Sequence, residues 1–447
     1  MSTSTSNPPQ RLTLSTLFTN GLLSPTLTAV TLVGMLAQIA SGQTCDAIFD
    51  PEISYIAGDS TRSVKLGDVD GDGDLDMAGA NYSSDDVSVL LNNGDGTFEP
   101  HSLYTAGDGP IGLTFADVDS DGDLDIAATN ALSHNTSVLL NNGDGTYAAA
   151  TNYPTGFSPR SVRFGDLDGD NDLDMATAND IGTGTSVLLN NGDGTFAPQV
   201  LYGTGSRPTS IVLGDVDGDS DLDIVIANFG SDDTSVLLNN GDATFATEIR
   251  YTVGDQPRRV TLGDVDGDND LDMVVANQGP DNVSVLLNFG DGTFLANSIY
   301  PAGLSPRGIT VGDVDNDGDL DIAVANGGGS ASILLNFGGG SFAAPTDYPT
   351  GGGSVGVMLG DIDDDGDLDM AVSNEFGDDI SVLFNQCVTT NPCPADLTDD
   401  GLLDFFDVSV FLQAFGAQDP IADFTGDGLL DFFDVSAFLQ AFGDGCP

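Results

Sequence analysis

Seven times along this 447-residue chain, at intervals of roughly 49 residues, a nine-residue stretch carries an acidic residue at every odd position. The first, within GDVDGDGDLD, supplies Asp68, Asp70, Asp72, Asp74 and Asp76. The next three supply Asp117, Asp119, Asp121, Asp123 and Asp125; Asp166, Asp168, Asp170, Asp172 and Asp174; and Asp215, Asp217, Asp219, Asp221 and Asp223. The last three supply Asp264, Asp266, Asp268, Asp270 and Asp272; Asp313, Asp315, Asp317, Asp319 and Asp321; and Asp361, Asp363, Asp365, Asp367 and Asp369. Carboxylates this close repel one another by roughly 3 kcal/mol per pair at an effective dielectric of about 20, so each stretch needs a cation. Hard oxygen donors without His or Cys point to calcium before zinc or copper.

The formal net charge is -60, yet 40% of residues are hydrophobic and 58 are Gly, a composition of short strands and turns more than of a disordered acidic chain. Five Asp in each of seven stretches is 35 of the 70 acidic residues, so the charge is largely a set of ligand clusters. Such a surface excludes nucleic acid and anionic membrane as partners of the body of the protein.

Residues 1–42 read as an export signal. After a polar stretch with Arg11 its lone cation, an apolar run from Leu27 to Ala40 ends in the small residues Ala40, Ser41 and Gly42. The run is short for a membrane span; an uncleaved anchor is the alternative. A secreted or cell-surface location follows, and there the four cysteines favour two disulfides.

The elements that must hold the acidic stretches repeat with them. In the first copy, alternating residues Ser63 to Gly67 lead into the loop and Leu75 to Ala80 lead out; Val87 to Leu91 follows, and NNGDGTF (Asn92 to Phe98) signals a hairpin into Phe98 to Tyr104. Seven units of four antiparallel strands, none able to bury a face alone, predict an all-β, seven-bladed propeller over residues 45–387. The seventh copy stops after its third strand, Ser381 to Asn385, while IFDPEISYIAG (Ile48 to Gly58) aligns with TFEPHSLYTAG (Thr97 to Gly107). Chain start and chain end are therefore expected to share one blade, with a Cys45 to Cys387 disulfide across the seam.

GDVDGDGDLD followed by SVLLNNGDGTF resembles the FG-GAP or VCBS repeat family, whose best-known fold is the propeller of integrin α-subunit heads. The resemblance implies calcium held by side chains at loop positions 1, 3, 5 and 9 and by the carbonyl at 7: Asp68, Asp70, Asp72 and Asp76, with Asp74 giving its carbonyl, and likewise in each later copy. Position 6 needs a left-handed backbone and is Gly73, Gly122, Asn171, Ser220, Asn269, Gly318 and Gly366. Ser220 is the poorest fit, so the loop at Asp215 is expected to be the weakest.

Beyond a short linker, residues 388–392, the segment 393–447 holds DLTDDGLLDFFD and DFTGDGLLDFFD, each followed by an apolar helix-like run. They have the twelve-residue calcium-loop layout, with Gly401 and Gly428 at position 6. The duplicated loop-helix unit resembles the type I dockerin domain of secreted polysaccharide-degrading systems, which implies a small α-helical domain, two further calcium ions and a cohesin-like scaffold as partner. Its ligands would be Asp396, Thr398, Asp400, Leu402 (carbonyl), Asp404 and Asp407, then Asp423, Thr425, Asp427, Leu429 (carbonyl), Asp431 and Asp434. Thr at position 3 departs from the usual Asn or Asp, and Phe405-Phe406 and Phe432-Phe433 stand where dockerins carry small polar recognition residues. Cys393 and Cys446 flank the unit and are expected to join its two ends.

Six of the ten basic residues gather at one place in the repeat. Arg62, Arg160, Arg258 and Arg307 each lie six residues before their loop's first Asp, and Arg207 and Arg259 stand beside equivalent positions. That is the entry of the innermost strand, near the channel mouth on the face away from calcium. Such a cluster suits a carboxylated or sulfated glycan or an acidic side chain of a protein partner, or else each Arg pairs with acids such as Asp59, Asp255 or those of the neighbouring blade's loops. Catalysis is not expected: His101 and His134 do not recur, and Asp85-Asp86, Asp232-Asp233 and Asp378-Asp379 lie in exposed turns. The reading is a secreted, monomeric, calcium-binding adhesion or recognition propeller. Its rivals are an extracellular glycoside hydrolase or lyase and a structural surface protein.

Overall fold

The computed structural model describes residues 49–386 except 183 and, nearer the C-terminus, residues 395, 397, 405–417, 422, 424, 434, 435, 437–439 and 442. The export signal, the linker, both expected disulfides and all but one of the C-terminal loop ligands named for their side chains lie outside the described side chains. The chain divides into a unit spanning Cys45–Val388 and a second that includes Thr389–Pro447.

Among the described residues the larger unit has strands β1–β28 in chain order, arranged as seven four-stranded antiparallel sheets. In the first complete blade β2 (Thr61–Gly67), β3 (Asp76–Asn81), β4 (Asp86–Leu90) and β5 (Ser102–Thr105) lie side by side. Each blade's first strand packs against the first strands of both neighbours, which closes a ring around a central channel. The fold is the all-β, seven-bladed propeller that the repeat demands.

The observed strands adjust the expected limits by one or two residues, and the fourth strand more. Phe98 makes an isolated bridge to Asn92, and laddering resumes only at Ser102. Pro100, without an N–H, stands in the interruption.

Ring closure runs through the expected seam. β1 (Ile53–Ile56) pairs with β28 (Asp379–Leu383), Ile53 opposite Val382, and completes the sheet begun by β26 (Ser354–Gly360) and β27 (Asp369–Asn374). Phe49 bridges Asn385 as Phe98 bridges Asn92. N-terminal residues thus supply the outer strand of the blade that the C-terminal copy lacks.

The core lies between blades. β3 is buried at all six positions because neighbouring blades cover both of its faces, which explains its small residues, DMAGAN. Outer strands are largely exposed and commit a single Tyr inward. Tyr104 meets Tyr147 of the next blade edge-on at 5.3 Å, and Tyr348 meets Phe49 at 5.3 Å, so the aromatic ladder also crosses the seam.

A second interblade contact uses the first Asn of NNGDGTF. Asn141 Nδ2 donates to Val69 O of the preceding blade at 2.8 Å and to Leu124 O at 3.1 Å, while its Oδ1 accepts from Gly143 N. Asn92 makes the same reach to Ile362 O and Asn385 to Val314 O, so the clip repeats around the ring. Asn141→Ala leaves these buried groups unpaired. It is expected to cost about 1–3 kcal/mol, read as a lower urea midpoint at unchanged slope.

In the C-terminal unit, helix α1 (Phe405–Ala417) forms from the first apolar run. Phe411 stacks on its counterpart in the second copy, Phe438, at 4.1 Å, within a cluster that includes Ala395, Ala414 and Ala422. Asp434 is buried. Among the described residues no helix is long and apolar enough to cross a membrane.

Candidate functional site

Two sites sit at opposite ends of the innermost strands. At the Gly67 end of β2 the acidic loop opens. Asp68 folds it by accepting Gly71 N at 2.7 Å and Gly73 N at 3.1 Å. Asp76 ties the loop to the hairpin of its own blade, Oδ2 accepting Val69 N at 2.9 Å and Oδ1 accepting Asn92 N at 2.8 Å. Carboxylate oxygens at positions 1, 3 and 9 lie within 4.8 Å of one another, as in the set Asp68, Asp70 and Asp76. The position-3 oxygens Asp119 Oδ1, Asp168 Oδ1, Asp217 Oδ1 and Asp266 Oδ1 are buried with no hydrogen-bond partner. Convergent carboxylates with orphaned, buried oxygens fit a hard divalent cation. Position 7 turns away: a Cβ on Gly94 would stand 2.6 Å from Asp74 Oδ2, so that side chain covers the hairpin and only its carbonyl is left to face a cation.

Burial pushes the position-9 carboxyls up, against the pull of their two N–H donors. Asp76, Asp125, Asp174, Asp223 and Asp272 reach about 6, and Asp321 and Asp369 about 7. Burial, then the charges of its neighbours Asp317 and Asp313, raises Asp315 at position 3 to about 6.

Position 6 is left-handed throughout, with φ of 102° at Gly73, 72° at Asn171, 77° at Ser220 and 74° at Asn269. Position 4 is left-handed as well, at Gly71, Ser120, Gly169, Gly218, Gly267, Asn316 and Asp364, a constraint the sequence reading missed. Gly and Asn predominate at both positions, which was the available signal. Ser220→Gly removes a left-handed serine and is expected to add about 1 kcal/mol, seen as a small rise in melting temperature with calcium present.

At the other end of the innermost strands is the basic cluster. A cavity of about 270 Å³ is lined by Arg62, Arg160, Arg258, Arg259 and Arg307 with Ile111, Thr209, Val355 and Glu375. Ile111, Thr209 and Val355 occupy in their blades the place that Arg takes in the others. Arg207 joins the rim through Asp180, donating at 2.8 Å, and Arg160 donates to the same carboxylate at 2.7 Å. Arg62 and Arg307 share Glu375 at 2.6 and 2.8 Å. Arg258 donates to neutral Gln278 at 2.6 Å, and its guanidinium and that of Arg207 lie over Phe229. Arg62 stacks on Tyr82, 3.7 Å from the ring centroid.

The arginine partners are therefore Asp180 and Glu375, which for Arg62, Arg207 and Arg307 belong to a neighbouring blade as expected, and not Asp59 or Asp255. They belong to one set: Tyr82, Asp180, Phe229, Gln278 and Glu375 each follow an Asn at the same repeat position, the last residue of the blade's second strand except at Asn179, where the strand runs on to Ile181. That position varies while the Asn does not, and this was the signal that could have found them. Six guanidinium groups face two carboxylates, and Arg62 Nε and Arg307 Nε are buried without partners. Burial, then the charges of Arg160 and Arg307, lowers Arg258 to about 10, still cationic at neutral pH.

Lys65 and Arg163, which the sequence reading also missed, lie deeper. They sit three residues after Arg62 and Arg160, which strict strand alternation would place on the opposite face. Bulges at Thr61/Ser63 and Pro159/Ser161 break that alternation.

In each pair of turn carboxylates the first holds backbone, and the second accepts from the side chain of its blade's strand-ending Asn. Asp85 accepts Gly109 N, Asp232 accepts Gln256 N and Asp378 accepts Ser60 N, each from the next blade. His134 does the same with Ser158 N through Nδ1.

Seven four-stranded blades, each opening an acidic nine-residue loop from its first strand, define a repeat propeller with metal-ligand geometry. The chain belongs to the FG-GAP-like repeat family, whose model matches residues 68–128, 121–177, 167–226, 218–275, 264–324 and 313–372. Each span runs from one acidic loop into the next, so the six matches engage all seven loops. No curated protein matches the chain. Among solved structures, BBS1N in complex with ARL6DN is similar at a TM-score of 0.54 and 12% identity, over 76% of this chain and 99% of that one. A functionally unknown protein from Desulfotomaculum acetoxidans scores 0.50 at 11% identity, over 68% and 94%. An Agrocybe aegerita lectin recognising non-reducing terminal N-acetylglucosamine scores 0.48 at 21% identity, over 75% and 85%. These likenesses concern the fold.

Proposed function

We propose that this protein is an exported recognition module, built as a calcium-stabilised propeller, that binds an anionic glycan at the arginine-lined channel mouth. One observation carries the reading. In a chain of net charge -60, five arginines line a single cavity and a sixth, Arg207, joins its rim, with only Asp180 and Glu375 to neutralise them. Planar guanidinium forks match carboxylate and sulfate oxygens, and the low-dielectric walls of a channel strengthen that attraction. Tyr82 and Phe229 add aromatic surface beside the cations.

In this reading the acidic loops hold the scaffold. Calcium would be bound by positions 1, 3, 5 and 9 with the position-7 carbonyl, in Asp68 to Asp76 and its six counterparts. When bound, the ion supplies positive charge that offsets carboxylate repulsion. The C-terminal paired loops would bind two more ions and tether the module to a scaffold or surface, and an acidic protein segment is the second ligand class the rim suits. Catalysis is disfavoured because the paired turn carboxylates and His134 already accept backbone N–H or Asn side-chain groups.

A binding screen of sulfated, uronate-containing and neutral glycans, with product analysis and with calcium or EGTA, tests the reading. Selective retention of anionic glycans without cleavage supports it. New reducing ends or unsaturated sugars would establish an enzyme instead, and silence from the calcium-loaded protein would remove glycan recognition.

A further inference from the structure

We propose that the channel interior below the arginine rim is a separate binding site for one small oxyanion of the sulfate, phosphate or carboxylate class, held by Lys65, Arg163 and Arg259. The site does not depend on the glycan reading. Lys65 belongs to β2, Arg163 to β10 (Phe157–Gly165) and Arg259 to β18 (Pro257–Gly263), the first strands of three alternate blades. First strands pack against one another all round the ring and so line its channel, where Lys65 Nζ reaches Met358 on another first strand; the charges of Arg163 and Arg259 add to burial in lowering the Lys65 pKa.

Among the described residues no carboxylate pairs with them. The carboxylates nearest the mouth, Asp180 and Glu375, are each held by two rim arginines. Among the described residues Lys65 Nζ meets only the Met358 thioether, at 3.4 Å, and Arg163 donates only to its neighbour's carbonyl, Val162 O, at 2.9 Å. Arg259 has no hydrogen-bond partner among them. A guanidinium offers five donors and does not shed its proton, so the two arginines keep their charge in any state of the protein. A half-buried charge without a counter-charge is unfavourable, and burial indeed disfavours the charged form of all three.

A compact oxyanion resolves this by accepting from several cations at once. It has a route in, because Arg259 also lines the 270 Å³ cavity at the mouth. The remaining channel positions equivalent to Lys65 and Arg163 are neutral: Thr114, Val212, Thr261, Thr310 and Met358. The fold therefore does not require cations there. The ion can come free from solution or as a terminal group on a larger ligand.

Lys65→Thr/Arg163→Thr places at both sites a residue that other blades already carry. Calorimetric titration of the full chain with sodium sulfate against sodium chloride, at matched ionic strength and with calcium present, tests the site. The native chain is expected to bind one sulfate per molecule with a saturable rise in melting temperature. The double variant should lose at least tenfold in affinity yet melt no lower than the native chain in chloride alone. Arg160→Thr at the rim, which copies the native Thr209 of the next blade, should retain sulfate binding. A monosulfated disaccharide that binds with the same dependence on Lys65 and Arg163 identifies a terminal group as the source, and sulfate binding alone identifies the free ion. Equal sulfate responses in the native chain and the double variant, or no heat from the native chain, would overturn the site. Loss of glycan binding in rim variants with sulfate binding intact bears only on the mouth.

Discussion

EGTA is expected to lower the melting temperature of the calcium-loaded propeller by on the order of 10 °C or more. A cation held only by the folded state adds about 4 kcal/mol when present at 1,000 times its dissociation constant, and two or three such loops on one cooperative ring already match the stability of an ordinary domain. The effect should spread through the ring, because the loops are not autonomous. Asp76 joins its loop to the Asn92 hairpin, and Asn92 in turn reaches Ile362 in the loop of the adjoining blade. A loop expanded by carboxylate repulsion therefore pulls on two blades.

The pH dependence of the metal-free protein carries a definite sign. The position-9 carboxyls are raised from 3.8 to about 6 or 7, chiefly by burial. Between those values the folded state binds more protons than the unfolded state, so stability falls as pH rises through that window. In EGTA the protein should melt higher at about pH 5 than at pH 7, and in calcium the order should reverse, because ligation needs ionised carboxylates. A melting curve at pH 7 indifferent to EGTA would remove calcium from the account. A metal-free curve that rises with pH would mean that these carboxyls are not buried as described.

Much of this architecture is legible in the sequence because a repeat multiplies its signal. One Asp-rich loop is a weak motif, but seven in register count the blades, and the truncated seventh copy locates the seam at β1 and β28. The face that carries the acidic loops is equally legible, since strand direction alone places every loop at the same end. The basic channel is legible only in part. Arg62, Arg160, Arg258 and Arg307 share a repeat position, but Lys65 and Arg163 stand three residues further on, and only a bulge lets both members of each pair serve the channel. The arginine partners Asp180 and Glu375 were harder still, because each is a single departure at one repeat position. Repetition reveals what every blade shares and hides what one blade does differently.

The difference between blades also decides the second large effect. Replacing Arg160, Arg258 and Arg307 together by Ala is expected to weaken anionic glycan binding more than a thousandfold, while the calcium-loaded propeller still melts cooperatively. A partly desolvated arginine on an oxyanion contributes about 2–5 kcal/mol when truncated, so three such losses carry a micromolar ligand beyond detection. Substitution at the shared carboxylate should act in the opposite direction. Glu375→Gln leaves Arg62 and Arg307 without the acid they both hold, raises the local positive charge by one and should tighten the same ligand severalfold. Opposite signs separate recognition from damage, because a variant that merely loosened the channel would weaken binding whichever charge it removed. Raising sodium chloride from 50 to 500 mM should shrink both effects, since the rim arginines remain about a fifth to a half exposed, from Arg307 at 22% to Arg207 at 47%. Binding that survives the triple variant would return the arginines to the role of channel structure, and weaker binding by Glu375→Gln would show that the carboxylate positions the forks instead of competing for them.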